Sequence, residues 1–188
     1  MPPDCPRDEQ QVEKCRRGRQ QLRAVRGNGP ADAVRRPVGR HDDGAPAYEY
    51  NKDNLTGTYK LTFLESKEVE TVDVNGFDVV TTTTFVGDTF DVSAVFAANN
   101  TLTTNGTYRI TETRTQGNNS ETDTYIIVIN NETVGYSVNE GSDELTIDGS
   151  TYKVSNFSAN GFTIKLTETT TEPNGDNTVY TEEIRLEK

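Results

Sequence analysis

Thirty of the 188 residues are Asp or Glu, and the groups best able to do chemistry are among them. Glu112, Glu168, Glu182 and Glu183 fall in Thr-rich segments. Two carboxyls about 5–10 Å apart in a cleft would supply the acid and base of a glycosidase-type hydrolysis. The same Thr/Glu/Lys alternation also paints the wet face of a sheet, and the sequence favours that reading. Hard-oxygen clusters are the second candidate. Asp73, Asn75 and Asp78 in one loop, and Asn174, Asp176 and Asn177 in another, offer the ligand type that calcium prefers. Neither fits an EF-hand loop, and Asx side chains in hairpin turns usually cap backbone N–H groups. No metal is expected.

Other chemistries lack their residues. Beyond residue 46 there is neither His nor Cys. That excludes Ser-His-Asp and Cys-His nucleophilic mechanisms and His- or Cys-based zinc sites from this part of the chain. The glycines sit singly rather than in a phosphate-cradling loop. His41 is the only histidine, and Cys5 and Cys15 lie near the start. All three read as solvated side chains. No catalytic residue and no cofactor are expected.

Aromatic side chains are the remaining binding groups. Phe85, Phe90, Phe96, Tyr108, Tyr125, Tyr136 and Phe162 recur on one face of alternating segments. They would either line a barrel that grips an apolar or amphipathic ligand or fill an ordinary core.

The elements that position these residues are strands. From Tyr48 onward the hydrophobic period is two. Tyr59, Leu61 and Phe63 share one face of a first strand, and Thr81–Thr84 is β-branched throughout. Turn signals recur at short intervals: Asn75-Gly76, Gly87-Asp88, Asn99-Asn100, Asn105-Gly106, residues 116–120, Asn130-Asn131, Gly141-Ser142, Asp148-Gly149, Asn160-Gly161 and Pro173-Asn174-Gly175. Ile126 and Val128 fill the second face of their strand, which predicts cover on both sides. The pattern predicts an all-β, antiparallel up-and-down barrel of about eight to ten strands. Closure removes the exposed edges of so long a meander.

Residues 1–46 differ in kind. They hold ten Lys/Arg against seven Asp/Glu, and no Ser, Thr, Ile or Phe. A thin apolar stripe (Val12, Cys15, Leu22, Val25) allows a helix over residues 8–26. The whole segment is expected to be a disordered arm and linker; its foreign composition raises the hypothesis that it is not the native start of the chain. The remaining residues carry nine Lys/Arg against twenty-three Asp/Glu, a net charge of 9 − 23 = −14. Such a surface repels phosphate backbones, so no nucleic-acid partner is expected.

The motifs Leu55-Thr56-Gly57-Thr58-Tyr59-Lys60-Leu61, Asn105-Gly106-Thr107-Tyr108, Tyr152-Lys153-Val154 and Ile184-Arg185-Leu186-Glu187-Lys188 follow one another in order. Together they resemble the lipocalin-like domains of predicted envelope lipoproteins of Bacteroidota, over residues 50–188. Tyr59 stands where that family's opening Gly-x-Trp pattern has Trp. The resemblance implies a barrel closed at one end by Gly57, Tyr59 and Arg185, with the arginine against the aromatic ring. It also implies an extracytoplasmic, cell-envelope location. Membrane contact would come only through a lipid anchor, which is not visible here, since residues 1–32 lack the apolar stretch of a signal peptide. The expected function is non-enzymatic: a monomeric lipocalin-like protein holding a small apolar or amphipathic ligand in the barrel. A packed structural or surface-interaction module is the alternative.

Overall fold

The computed structural model describes residues 48–188. The helix expected at residues 8–26, the two cysteines, His41 and the arm boundary lie outside the described residues. Eight antiparallel strands follow one another around a closed barrel. They are β1 (Gly57–Val74), β2 (Phe77–Ala97), β3 (Thr101–Gln116), β4 (Asn119–Asn139), β5 (Glu144–Ile147), β6 (Ser150–Ser158), β7 (Gly161–Thr171) and β8 (Asn177–Glu187). β8 returns to β1 and closes the ring, in register from Lys60↔Glu187 to Thr71↔Asn177. A one-turn helix, α1 (Lys52–Leu55), precedes the barrel; Asn51 caps it by accepting from the Asn54 N–H at 2.8 Å.

The expected all-β, up-and-down architecture is present, with eight strands. At Asn75-Gly76 both residues take positive φ (57° and 85°), the geometry of a tight hairpin turn. Three other turn signals turn nothing. Gly87-Asp88 lies inside β2, Asn105-Gly106 inside β3, and Asn130-Asn131 inside β4. Each marks or adjoins a register shift, between Asp88 and Asp91 on β2 and between Thr104 and Gly106 opposite β4. A bulge inserts a residue and bends the strand without reversing it. Gly106 shows why glycine is needed: its φ is 130°, and a Cβ there would stand 1.9 Å from the Asp91 carbonyl oxygen.

Bulges also change which side chains face inward. A shift between Leu61 and Phe63 on β1 breaks the alternation. Tyr59 and Leu61 are buried as expected, but Leu64 takes the next inward place. Phe63 turns outward, where the Arg185 guanidinium lies 4.2 Å from its ring centroid. The expected cover over Ile126 and Val128 is also absent: they are 69% and 58% exposed.

The wall is uneven in height. β4 has 21 residues, while its neighbour β5 has 4 and β6 has 9. On its far side β4 therefore pairs only from Tyr136↔Ile147 to Asn139↔Glu144. Among the described strands, residues 119–134 are in register with β3 alone. β7 pairs with β6 only as far as Lys153↔Lys165, leaving its last residues with β8 alone. Among the described residues, one end of the barrel is closed all round, and the other has a notch between β4 and β7.

Candidate functional site

The closed end is a packed aromatic plug. Tyr59 meets Phe96 and Phe162 edge-on at 5.7 and 5.1 Å between ring centroids, and Tyr136 meets Phe96 at 5.2 Å. Leu55, carried by α1, is fully buried against this cluster. The Tyr59 hydroxyl donates to the Leu55 carbonyl at 2.8 Å, which ties the helix to the plug. Burial pushes this phenol up to about 12. Three expected lining residues, Phe96, Tyr136 and Phe162, thus belong to the plug.

Gly57 and Tyr59 both lie at this end, but the cation beside the ring is Lys188 and not Arg185. Lys188 Nζ lies 5.1 Å from the Tyr59 centroid and donates to the Asn54 carbonyl at 3.4 Å. Gly57, at φ 148°, leaves room for it, since a Cβ there would stand 3.3 Å from Lys188 Cε. Arg185 is outside the barrel, on Phe63 and on Glu183 Oε1 at 2.7 Å. The reason is parity: Leu186 faces inward, so its neighbour Arg185 faces out.

The other expected lining residues, Phe85, Phe90, Tyr108 and Tyr125, are half-buried against the core in the notched half. Phe90 and Tyr108 stack at 6.2 Å. Deeper in this half lies the most unusual group of the barrel, the carboxylate of Glu182, only 8% exposed. The Tyr152 hydroxyl donates to its Oε2 at 3.0 Å and the Tyr180 hydroxyl to its Oε1 at 3.1 Å. Ser66, directly opposite Glu182 in the β1–β8 register, is buried beside Tyr180. Its hydroxyl lies within reach of the Tyr180 phenol but not in the geometry of a well-formed hydrogen bond. Among the described residues no Lys or Arg pairs with Glu182.

Burial without a cation raises the Glu182 pKa, the charge of Glu168 adds to the rise, and the two tyrosine donors oppose it. The tyrosines respond in the same sense. Burial first, then the Glu182 charge, pushes Tyr108 up to about 12 and Tyr152 and Tyr180 higher still.

The other carboxylates are placed differently. Glu183, next to Glu182 but on the outer face, is held by Lys165 and Arg185, which lower its pKa. Glu112 accepts from Tyr125 at 3.2 Å, and Glu168 from Ser150 at 3.5 Å. Both candidate calcium loops spend oxygens on backbone and on one another. Asp73 Oδ1 accepts from the Gly76 N–H at 3.0 Å, Asp176 Oδ1 from the Asp73 N–H at 3.2 Å, and Asp176 Oδ2 from the Asn174 amide at 2.7 Å. Among the described residues no three His, Cys, Asp or Glu side chains gather around a common point.

Ser66 and Tyr180 were not singled out by residue type. Alternation is the signal that finds Tyr180 and Glu182, because Tyr180, Glu182, Ile184 and Leu186 share one parity. Ser66 follows Leu64 at the same interval, but only once the β1 bulge is known. No family model, no curated protein and no solved structure matches the chain, so the site rests on its geometry.

Proposed function

We propose that this protein is a non-enzymatic binding barrel for a small amphipathic ligand. The ligand's apolar body would lie against Phe85, Phe90, Tyr108 and Tyr125 in the notched half, and its hydrogen-bond-donating or cationic head would reach Glu182. One observation carries the reading: a carboxylate buried in a barrel interior with two hydroxyl donors and no ion pair among the described residues. Burying such a group is expensive, and an apolar side chain at the same position would hold the barrel together better. A ligand head that donates to Glu182, with the Ser66 hydroxyl close by, would offset that penalty. An extracytoplasmic setting in the cell envelope belongs to the same proposal, supported by the resemblance of the strand motifs.

The test is a thermal shift with two probes of equal chain length, dodecylamine and dodecanoate, below their micellar concentrations. The amine should raise Tm; at a hundredfold excess over its Kd it adds about 2.7 kcal/mol. The carboxylate should not. Glu182→Gln should abolish the difference. Equal shifts by both probes, or a preference that survives Glu182→Gln, would remove Glu182 as the anchor. The exposed Ile126 and Val128 favour a second reading, an interaction module, through a different part of the molecule.

A further inference from the structure

The hairpin at the tip of β1 and β2 is the feature that a head group at Glu182 leaves unexplained. β8 stays in register with β1 only as far as Thr71↔Asn177, and β3 with β2 only as far as Thr81↔Gln116. Residues 72–80 rise beyond both neighbouring strands, in register with each other up to Val74↔Phe77. Their side chains sort by face. Asp73 and Asp78 stand opposite each other on the outer side. Val72, Val74, Phe77 and Val79 share the parity of the buried Ser66, Thr81 and Thr83, which is that of the barrel interior. Val74 is 47% exposed and Phe77 76%. The apolar inner wall thus continues past the rim, on a hairpin that the Asp73 N–H ties to Asp176 Oδ1 of the β7–β8 turn at 3.2 Å.

We propose that this inner face is the outer end of the ligand site, and that the ligand is a single-chain amine with a long aliphatic tail. The inference rests on the binding reading above and extends it. With the head at Glu182, opposite Ser66, the tail would run along β2 past Phe85, Thr83 and Thr81 to Val79 and Phe77. Ser66 and Val74 are eight residues apart on β1, or about 26 Å of strand. At the usual barrel tilt this is roughly 20 Å along the axis, the reach of an extended chain of about sixteen carbons. A tail about four carbons shorter would stop at the rim and leave Phe77 uncovered. Glu68 and Glu70, exposed beside this path on β1, disfavour an anionic head entering by it. The face is continuous with the interior and ends where such a tail would end, which selects a ligand tail over a macromolecular partner.

Dodecylamine and hexadecylamine, each below its micellar concentration, are titrated against the full chain by isothermal calorimetry. Hexadecylamine should bind at least about tenfold tighter, since each fully buried methylene contributes up to about fourfold. Phe77→Ser changes a side chain that is 76% exposed, so the fold should be kept. It should weaken hexadecylamine about tenfold and dodecylamine less than about twofold. A two-stranded hairpin is marginal by itself. The amides of residues 72–80 should therefore exchange fast in the free chain and slow with hexadecylamine but not with dodecylamine. Equal effects of Phe77→Ser on both amines, or none on either, overturn the proposal, and leave the Glu182 anchor standing where dodecylamine still outbinds dodecanoate. Failure of dodecylamine itself to bind removes the anchor and this proposal with it. Slow exchange of residues 72–80 in the free chain would give the face to residues 1–47 or to a second copy of the chain, and overturn it equally.

Discussion

Tyr152→Phe isolates the interaction on which the proposed ligand site depends. The change removes one oxygen and leaves the ring, which is 6% exposed, in place. It strips Glu182 Oε2 of its donor at 3.0 Å, while Tyr180 keeps the other oxygen. A hydrogen bond to a charged group contributes about 1.5–3 kcal/mol, and one between neutral groups about 1. The expected loss is therefore about 2 kcal/mol where Glu182 is ionised, or roughly 4–8 °C in Tm for a chain of this size. The pH dependence has a definite sign. Burial raises the Glu182 pKa above its ordinary 4.5. The folded state therefore keeps this proton to higher pH than the unfolded chain. The stability so gained is complete below the ordinary carboxyl range and is lost as pH rises through the raised value. Tyr152 favours the ionised form, so its removal should move that loss further upward and make the penalty of Tyr152→Phe grow with pH. Urea denaturation followed by circular dichroism between about pH 5 and about pH 8 measures this, with Glu182→Gln as the reference that removes the titration. A loss below about 0.5 kcal/mol at every pH, or the same loss in the Glu182→Gln background, would refute the reasoning.

The plug, the outer face and the β3 bulge each make a further prediction. Tyr59→Ala removes a 1% exposed aromatic with two edge-on partners and should lower stability by about 4 kcal/mol, whereas Tyr59→Phe loses the short bond to the Leu55 carbonyl and a longer one to that of Asn54 and should lower it by about 1 kcal/mol, both measured by denaturant titration. Arg185→Ala, on the outer face, should lower it by less than about 1 kcal/mol, and a loss as large as that of Tyr59→Ala would restore the arginine to the plug. Gly106→Ala combines a φ of 130° with a backbone clash and should lower stability severely, by at least about 3 kcal/mol; a near-neutral result would mean that the β3 bulge does not require glycine.

Strand periodicity and hairpin turns made the barrel legible. Asn75-Gly76, Asp148-Gly149 and Asn160-Gly161 connect strands as their residue types predict. Bulges were not legible, because a bulge and a turn draw on the same residues. Asn and Gly tolerate positive φ in both, and only long-range pairing decides whether the chain reverses. Asn131 at φ 48° and Gly106 at φ 130° sit inside ladders that continue on either side of them. The same ambiguity misplaced Phe63. A single shift in β1 moves every later residue of that strand to the opposite face, so Phe63 left the core and Leu64 and Ser66 entered it.

That ambiguity also separates what was readable about the site from what was not. Glu182 could be placed by parity, since β8 keeps its alternation from Tyr180 to Leu186 without a bulge. The mismatch in length between β4 and β5 could not. Read as a turn, Asn130-Asn131-Glu132 divides residues 119–139 into two strands of ordinary length, each with a neighbour to cover it. Read as a bulge, it makes one 21-residue strand beside a neighbour of four. The short neighbour was itself predictable, because the turns at Gly141-Ser142 and Asp148-Gly149 bracket it closely. The notch arises from the mismatch between the two lengths, and it opens beside the half of the barrel that holds Glu182. A barrel that was only a scaffold would gain stability from a longer β5–β6 hairpin and an apolar residue at position 182. This chain has neither, and the two departures occur in the same half of the barrel. That coincidence is the strongest physical reason to place binding there rather than at the well-packed end around Tyr59.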